Sequence, residues 1–196
     1  MTIKRFTIII FLCFLAALFN NSLIFLSYHV DEFPLYLDTV FTSAIVFTLG
    51  LLPGLITVIF TWLIGIIQEG NVHPYIISNI TEVFLIWSLS PLFIIKKIIK
   101  KQGTPVSTFA GLLLLYITCC ITMSVLSGII DHVYYNILAR SRPFFNPEDF
   151  FKLYLMHSNA PELLTNILSR IPVNIVDRFI VIFGGYFISR GLKKFI

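Results

Sequence analysis

Residues 6–27 read FTIIIFLCFLAALFNNSLIFLS and follow directly after Lys4 and Arg5. A helix needs about 20 consecutive apolar residues to cross the hydrocarbon core of a bilayer, so this stretch predicts a first membrane span. The whole chain of 196 residues is 57% hydrophobic and 12% charged, whereas about a quarter of a soluble domain is charged. A soluble core of this size could not bury so many apolar side chains. We therefore expect an all-α integral membrane protein, with one membrane domain over residues 1–196.

Further apolar runs along the chain predict five more spans, which makes a six-transmembrane-helix bundle. The second and third runs are close to the lower length limit for a crossing, and the alternative is that they form one re-entrant hairpin. A cleaved signal peptide is the alternative for the first run, but residues 18–21, LFNN, are a poor match to the small-residue site that cleavage needs. The predicted spans after the first are 35–52, 54–67, 75–95, 106–130 and 172–189.

The basic residues indicate the orientation of the bundle, because Lys and Arg are enriched in cytoplasmic loops. A cytoplasmic N-terminus puts nine of the fourteen basic residues inside and no acidic residue with them. We therefore expect both termini in the cytoplasm. The nine inside residues are Lys4, Arg5, Lys96, Lys97, Lys100, Lys101, Arg190, Lys193 and Lys194.

One long external segment, residues 131–170, is expected to form a cap over the bundle. Its residues 148–156 and 161–169 each predict a short helix, since Asn-Pro and Asn-Ala-Pro sequences precede them and mark helix starts. The first of these helices is too apolar to stand free in water. We expect both to lie on the outer face as an external helical cap.

Several function classes are excluded by what the sequence lacks. Its basic residues flank apolar runs instead of forming a water-exposed face, so nucleic acid is not an expected partner. Its cysteines lie inside apolar runs without metal-ligand spacing, so neither a disulfide nor a zinc site is expected. No phosphate-binding loop, HExxH, GxSxG or Gly-rich dinucleotide turn is present. We expect no cofactor and no enzymatic activity. An intramembrane enzyme that uses Glu82, Asp177 and His132 is the third-ranked alternative.

Polar residues inside the spans are the candidates for a binding site, because a charge at the centre of a membrane helix costs about 2.5–3.5 kcal/mol. Asn79 and Glu82 are three residues apart and share a helix face, and Asn174 and Asp177 repeat this spacing. Glu82 lies about 10 Å below the start of its span, and all candidates fall in the outer half of the bilayer. They predict a pocket open to the outside and favour a binding site over a channel. The candidate ligand-binding residues are Asp38, Asn79, Glu82, Trp87, Asn174, Asp177 and Arg178.

Structural roles remain open for several of these residues. Asp38 is equally suited to cap the second span. Asp177 and Arg178 either neutralise each other or pair with Glu82 as a structural lock. Trp87 and Tyr75 are candidates to stack on a ligand, and a place in the interfacial aromatic belt explains Tyr75 equally well. Other polar residues of the outer side, expected in loops or at helix ends, are His29, Glu69, His73, Asp131, His132 and Asn136.

Small residues at four-residue steps allow another helix to approach closely, either within the bundle or from a membrane partner. The pattern occurs in spans one, five and six, at Cys13 and Ala17, at Cys120, Ser124 and Gly128, and at Gly185 and Ser189.

Three stretches carry a resemblance to a known family. Residues 33–42 read FPLYLDTVFT, residues 51–55 read LLPGL, and residues 171–178 read IPVNIVDR and are followed by Gly184-Gly185-Tyr186. With these motifs the chain resembles the substrate-binding membrane subunit, or S-component, of energy-coupling factor (ECF) transporters. Those transporters take up vitamins in prokaryotes, so the resemblance implies a prokaryotic plasma membrane.

The resemblance also implies a mechanism and partners. It implies an outer pocket closed by the loop of residues 28–36, and docking on a membrane coupling subunit that carries two cytoplasmic ATPases. Family members often dock through an Ala-xxx-Ala face on the first span, where this chain has Cys13-xxx-Ala17 and Ala16-xxx-Asn20. We therefore expect a binding subunit for a small water-soluble, vitamin-like nutrient. The alternative is a membrane sensor or interaction module without transport activity.

Overall fold

The structure is a computed structural model that describes residues 3–29, 35–70, 74–100, 105–138, 148–157 and 160–194. Over these ranges most of the chain is helical and none of it forms a strand. Two π-helical segments continue the α-helices, His132–Ile137 after α5 and Ile180–Gly184 between α8 and α9. The helices are α1 (Ile3–His29), α2 (Val40–Leu49), α3 (Leu51–Glu69), α4 (Ile76–Lys100), α5 (Pro105–Asp131), α6 (Asp149–His157), α7 (Glu162–Leu168), α8 (Arg170–Phe179) and α9 (Gly185–Leu192).

Four helical stretches are long and apolar enough to cross a membrane: Ile3–Ser27, Leu51–Gln68, Val106–Ile137 and Glu162–Leu192. Only 22% to 44% of the residues in their most apolar windows are buried inside the protein. Most of the apolar surface of these helices therefore has no protein cover, which fits lipid as the solvent. The structure confirms an all-α fold with the helices of a multi-pass membrane protein.

The second predicted span, 35–52, is divided in the structure. Residues 35–39 are not helical, and α2 begins only at Val40 and ends at Leu49. The break between α2 and α3 is at Gly50, whose φ of +90° lies in the region that favours glycine. Pro53, expected to separate the two runs, lies in the first turn of α3, where a missing N–H breaks no helical hydrogen bond.

The short helix α2 lies at the centre of the bundle, packed by α1, α3, α4 and α9. Seven of its ten residues are buried. Its first turn is completed from α1: the Asn20 side chain accepts a hydrogen bond from the Phe41 N–H at 3.0 Å and donates to Thr42 Oγ1 at 2.8 Å. Because hydrocarbon offers no water to free backbone groups, Asn20 stabilises the start of α2.

The segment between α5 and α8 contains both short helices that the sequence predicted, as α6 and α7. Helix α7 packs closely on α5, since a Cβ at Gly128 would lie 2.7 Å from Cα of Ile167. The last apolar stretch begins at Glu162, earlier than the predicted start at Pro172. Pro172 lies in the first turn of α8 and therefore does not end a helix.

Candidate functional site

One face of α8 carries the polar residues that enter the bundle. Arg170, Asn174, Asp177 and Arg178 are all buried, and they follow one another at steps of three and four residues or as neighbours. Such spacing keeps side chains on one side of a helix. The polar stripe of α8 therefore faces α4, α5 and the segment before α2.

Arg178 is the centre of a buried cluster that joins three separate parts of the chain. Its Nη1 lies 2.5 Å from Glu82 Oε2 on α4, and its Nη2 lies 2.5 Å from Asp177 Oδ2 and 3.3 Å from Asp38 Oδ1. Thr39 donates a hydrogen bond to the same Glu82 oxygen at 2.7 Å and accepts one from Arg178 Nη1 at 3.0 Å. We call Asp38, Thr39, Glu82, Asp177 and Arg178 the Arg178 cluster.

Asp177 also fixes the segment that precedes α2. Its Oδ1 accepts hydrogen bonds from the backbone N–H groups of Tyr36 at 3.0 Å and Leu37 at 2.8 Å. Leu37 has a φ of +50°, which is a left-handed backbone conformation that costs an L-residue about 1–2 kcal/mol. The two hydrogen bonds to Asp177 hold this unfavourable conformation in place.

Asp38 does not cap α2, because Thr39 occupies the N-cap position and no side-chain capping hydrogen bond is made there. The Asp38 carboxylate instead faces Arg178 and accepts a hydrogen bond from Asn79 Nδ2 at 2.9 Å. With its side chain 20% exposed, Asp38 is the acidic member of the Arg178 cluster most open to solvent.

Five of the seven candidate binding residues therefore come together: Asp38, Asn79, Glu82, Asp177 and Arg178. They contact one another, as in the structural lock that remained an open alternative from the sequence. Asn174 is buried one turn away and donates a hydrogen bond to Ser124 of α5 at 2.9 Å. Trp87 is 44% exposed on the outside of α4 and takes no part in the cluster.

A second buried cluster, centred on Arg170, was not predicted. Arg170 Nη2 lies 2.9 Å from Asp131 Oδ2 and 2.8 Å from Glu148 Oε1. Its guanidinium stacks over the rings of Tyr36 and Tyr75, with centroid distances of 5.6 and 5.0 Å. Tyr36 donates a hydrogen bond to Glu148, and Tyr75 donates one to Asp131. We call these five residues the Arg170 cluster; it links α4, α5, α8 and the start of α6.

The two phenols of the Arg170 cluster precede α2 and α4. Burial raises the pKa of Tyr36 and Tyr75 well above the usual range of a phenol, although the positive charge of Arg170 acts in the opposite direction. Both phenols therefore stay protonated at neutral pH and serve as hydrogen-bond donors to carboxylates. This role stabilises the carboxylates of Glu148 and Asp131.

Arg170 was expected in an external loop because Pro172 was taken as the start of the last span. The signal that could have found it is the step of four residues from Arg170 to Asn174, which continues to Asp177. A proline is tolerated in the first turn of a helix, so this polar stripe extends across Pro172.

The remaining polar residues of the outer side show fewer contacts. Asn136 donates a hydrogen bond to Glu162 at 2.9 Å and accepts one from Asn166 at 3.2 Å, while His132 is half-buried. His73 and residues 30–34 of the loop expected to close the pocket lie outside the described residues, as do the side chains of His29 and Glu69.

The small residues of α1 pack within the chain. Cys13, Ala16 and Ala17 are buried, and Cys13 Sγ contacts the Pro53 carbonyl oxygen of α3 at 3.4 Å. Gly185 of α9 likewise packs directly on Ser43 of α2. Close approach between helices inside one chain therefore accounts for these small residues.

The Arg178 cluster combines one guanidinium, three carboxyl groups and a hydroxyl, and the Asn79 amide adjoins it through Asp38. Such groups suit the recognition of a small polar solute. Among the residues that the structure describes, no group of three His, Cys, Asp or Glu side chains is arranged to hold a metal ion. No known protein family, curated protein or solved structure matches the chain.

Proposed function

We propose that the chain is the substrate-binding subunit of an ECF-type transporter for a vitamin or other micronutrient. The observation that carries the proposal is the convergence of Asp38, Glu82 and Arg178 from three distant segments inside an apolar bundle. Buried ion pairs contribute little net stability, and well-packed apolar residues often replace them at no cost. A cluster of this kind is therefore better explained by recognition of a polar ligand than by stability.

The ligand, a small water-soluble nutrient, replaces contacts that the cluster residues make with one another. Asp38 is the most exposed acidic member and lies on the entry side. The backbone N–H groups of Tyr36 and Leu37 donate hydrogen bonds to Asp177. The bonds that the cluster residues make with one another satisfy the same charged groups that a bound ligand would satisfy.

The depth at which α2 begins supports the proposal of six membrane passages. Thr39 contacts Glu82, which lies six residues, or about 9 Å, beyond the start of α4. The ten residues of α2 add about 15 Å, so α2 ends about 24 Å into a hydrocarbon core of about 30 Å. This depth supports a complete second passage followed by α3 as the third, with α1, α4, α5 and α8–α9 as the others.

The cytoplasmic side is the one with most of the basic residues. Arg178 is twelve residues, or about 18 Å, from Arg190, and Glu82 is fourteen residues, or about 21 Å, from Lys96. The Arg178 cluster then lies in the outer half of a prokaryotic plasma membrane. Both termini are cytoplasmic, and α6 and α7 form the outer cap.

Energy comes from partners, since no nucleotide-binding motif occurs in the sequence. The expected partners are a membrane coupling subunit and two cytoplasmic ATPases. Because Cys13 and Ala17 are buried within the chain, the coupling subunit docks on a different face from the one that the resemblance implies.

A membrane sensor or interaction module without transport is the second candidate. One observation favours it: the small residues of α1 already pack inside the chain, so no free small-residue face of α1 is left for a coupling subunit. Co-purification of an ATPase pair with the full chain would contradict this second candidate. Co-purification of a signalling protein without ATPases would contradict transport.

The direct test is to identify the bound solute. The protein is purified in detergent from cells grown in rich medium and denatured, and the released small molecules are identified by mass spectrometry. We expect one vitamin-like compound in near-stoichiometric amount.

The variant Glu82→Ala should no longer bind this compound, while its helix content measured by circular dichroism should be unchanged. Glu162→Ala is the matched control at an exposed carboxylate and should keep it. Full retention by Glu82→Ala would remove Glu82 from the site.

A further inference from the structure

The Arg178 cluster contains more negative than positive charge. One guanidinium faces the carboxyl groups of Asp38, Glu82 and Asp177. If all three carboxyl groups were ionised, the cluster would carry two uncompensated negative charges. Uncompensated buried charge is strongly unfavourable, and in proteins a buried acidic group commonly becomes neutral instead.

The three carboxyl groups differ in how well their ionised forms are stabilised. Asp177 accepts two backbone N–H hydrogen bonds on Oδ1 and pairs with Arg178 through Oδ2. Asp38 accepts the Asn79 amide and has access to solvent. Each oxygen of these two carboxyl groups therefore has a hydrogen-bond partner or, at Asp177 Oδ2, an ion-pair partner.

Among the described residues, Glu82 differs from the other two because one of its oxygens has neither a hydrogen bond nor an ion pair. Both of its donors, Thr39 Oγ1 and Arg178 Nη1, point to the single oxygen Oε2. Its other oxygen, Oε1, has no hydrogen-bond partner among the described residues, although the residue is only 1% exposed. A neutral carboxyl group keeps both bonds on Oε2 as a carbonyl oxygen and needs no counter-charge at Oε1.

We propose that the Arg178 cluster is a proton-binding site and that Glu82 carries the proton, on Oε1, at neutral pH. The proton comes from water and converts the Glu82 carboxylate into a carboxylic acid. Asp177 and Arg178 then form a neutral pair, and the remaining negative charge is on Asp38, the acidic member nearest to solvent. The proton site uses residues of the ligand site proposed above, but protonation of Glu82 does not depend on a bound ligand and the test below needs none.

Within the described part of the chain, the elements around Glu82 offer it no counter-charge other than Arg178. From α8 it faces Arg178, and from the segment before α2 it faces Asp38. Helix α5 contributes the buried thiol of Cys119. Helix α2 contains no titratable residue, and α3 has only Glu69 at its C-terminal end.

The test is infrared spectroscopy of the full chain in detergent at neutral pH, where a free glutamate, with a pKa of about 4.3, is ionised. A protonated carboxyl group gives a C=O stretching band that shifts in heavy water. We expect this band in the wild type. It should shift when the protein contains glutamate labelled isotopically at the side-chain carboxyl carbon, and it should be lost in Glu82→Gln.

Two further variants locate the proton. Glu162→Gln, at an exposed carboxylate, and Glu148→Gln, at the buried carboxylate of the Arg170 cluster, should both keep the band. Absence of the band in the wild type, or its loss in Glu148→Gln with retention in Glu82→Gln, would overturn the proposal. If Glu82→Gln does not fold, the isotope experiment decides alone: a band that does not respond to labelled glutamate overturns the assignment to Glu82.

Discussion

Arg178 decides whether three acidic residues can share the interior of the bundle. Its planar guanidinium offers several N–H donors in a fixed geometry, and two of its nitrogens contact Glu82, Asp177 and Asp38. Asp177 in turn holds the backbone of Tyr36 and Leu37. Removal of this one cation therefore leaves several carboxyl groups buried without a counter-charge and also loosens the segment before α2.

At Arg178 we predict a large loss of stability on substitution by an uncharged residue. Breaking a buried ion pair by removing one partner costs about 3–5 kcal/mol, so Arg178→Met should unfold at a much lower temperature than the wild type. Arg178→Lys should be intermediate, because lysine keeps the charge but not the fork of donors. Thermal unfolding in detergent, followed by circular dichroism, measures the effect. Arg190→Met, at an exposed arginine, is the control and should change little. Equal melting of Arg178→Met and the wild type would contradict the prediction.

Helices α2 and α9 approach each other more closely than any side chain at Gly185 would allow. A Cβ at this position would lie 1.7 Å from Ser43 Oγ and 3.1 Å from the Ala44 backbone nitrogen. Ser43 cannot easily move aside, because its hydroxyl is 2.7 Å from the Val181 carbonyl oxygen and 2.8 Å from that of Val40. Gly185 thus sets the separation of α2 from α9. Thr39 directly precedes α2, and Arg178 lies on the helical stretch that continues into α9, so this separation also affects the position of Thr39 relative to Arg178.

Gly185→Ala should therefore destabilise the protein, by about 1–3 kcal/mol if the helices separate as they do on overpacking. Gly191→Ala is the matched control within the same helix, since nothing lies within 4 Å of a Cβ there. That control should be neutral or more stable by about 0.5–1 kcal/mol, because alanine is the better helix former. Melting temperatures of the two variants in the same detergent make the comparison. The idea fails if Gly185→Ala is as stable as Gly191→Ala.

At the scale of the helices, part of the structure could be predicted from the sequence and part could not. The length of an apolar run predicted α1 and α5, because a run of about 20 apolar residues indicates a helix that spans a membrane. The position of proline misled at Pro53, which lies in the first turn of α3 instead of between two runs, and at Pro172, which lies within α8 instead of at the start of the last apolar stretch. Helical spacing correctly grouped Asn79 with Glu82. It could not show that Thr39 and Arg178 meet Glu82, because contacts between helices depend on how the whole bundle packs.

At the scale of the whole molecule, the two arginine clusters form two polar layers. Arg170 and Arg178 are eight residues apart on α8, which is about 12 Å along the helix axis. Residues of α4, α5 and the segment before α2 contact either the Arg170 cluster or the Arg178 cluster. Toward the opposite end the basic residues Arg190, Lys193 and Lys194 are exposed in the last turn of α9 or just after it. The molecule is therefore polarised, with buried charge toward one end and exposed positive charge at the other.

This polarity predicts which end faces the cytoplasm, because exposed Lys and Arg collect on that side. A cysteine introduced as Lys194→Cys should react with a membrane-impermeant maleimide only after the cells are permeabilised, whereas Gly70→Cys, at the exposed end of α3, should react on intact cells. The unsubstituted protein is the control: Cys13, Cys119 and Cys120 are 0% to 8% exposed and should give little labelling. Labelling of Lys194→Cys on intact cells, with protection of Gly70→Cys, would reverse the orientation. The Arg178 cluster would then open toward the cytoplasm, where it could not take up a nutrient from outside.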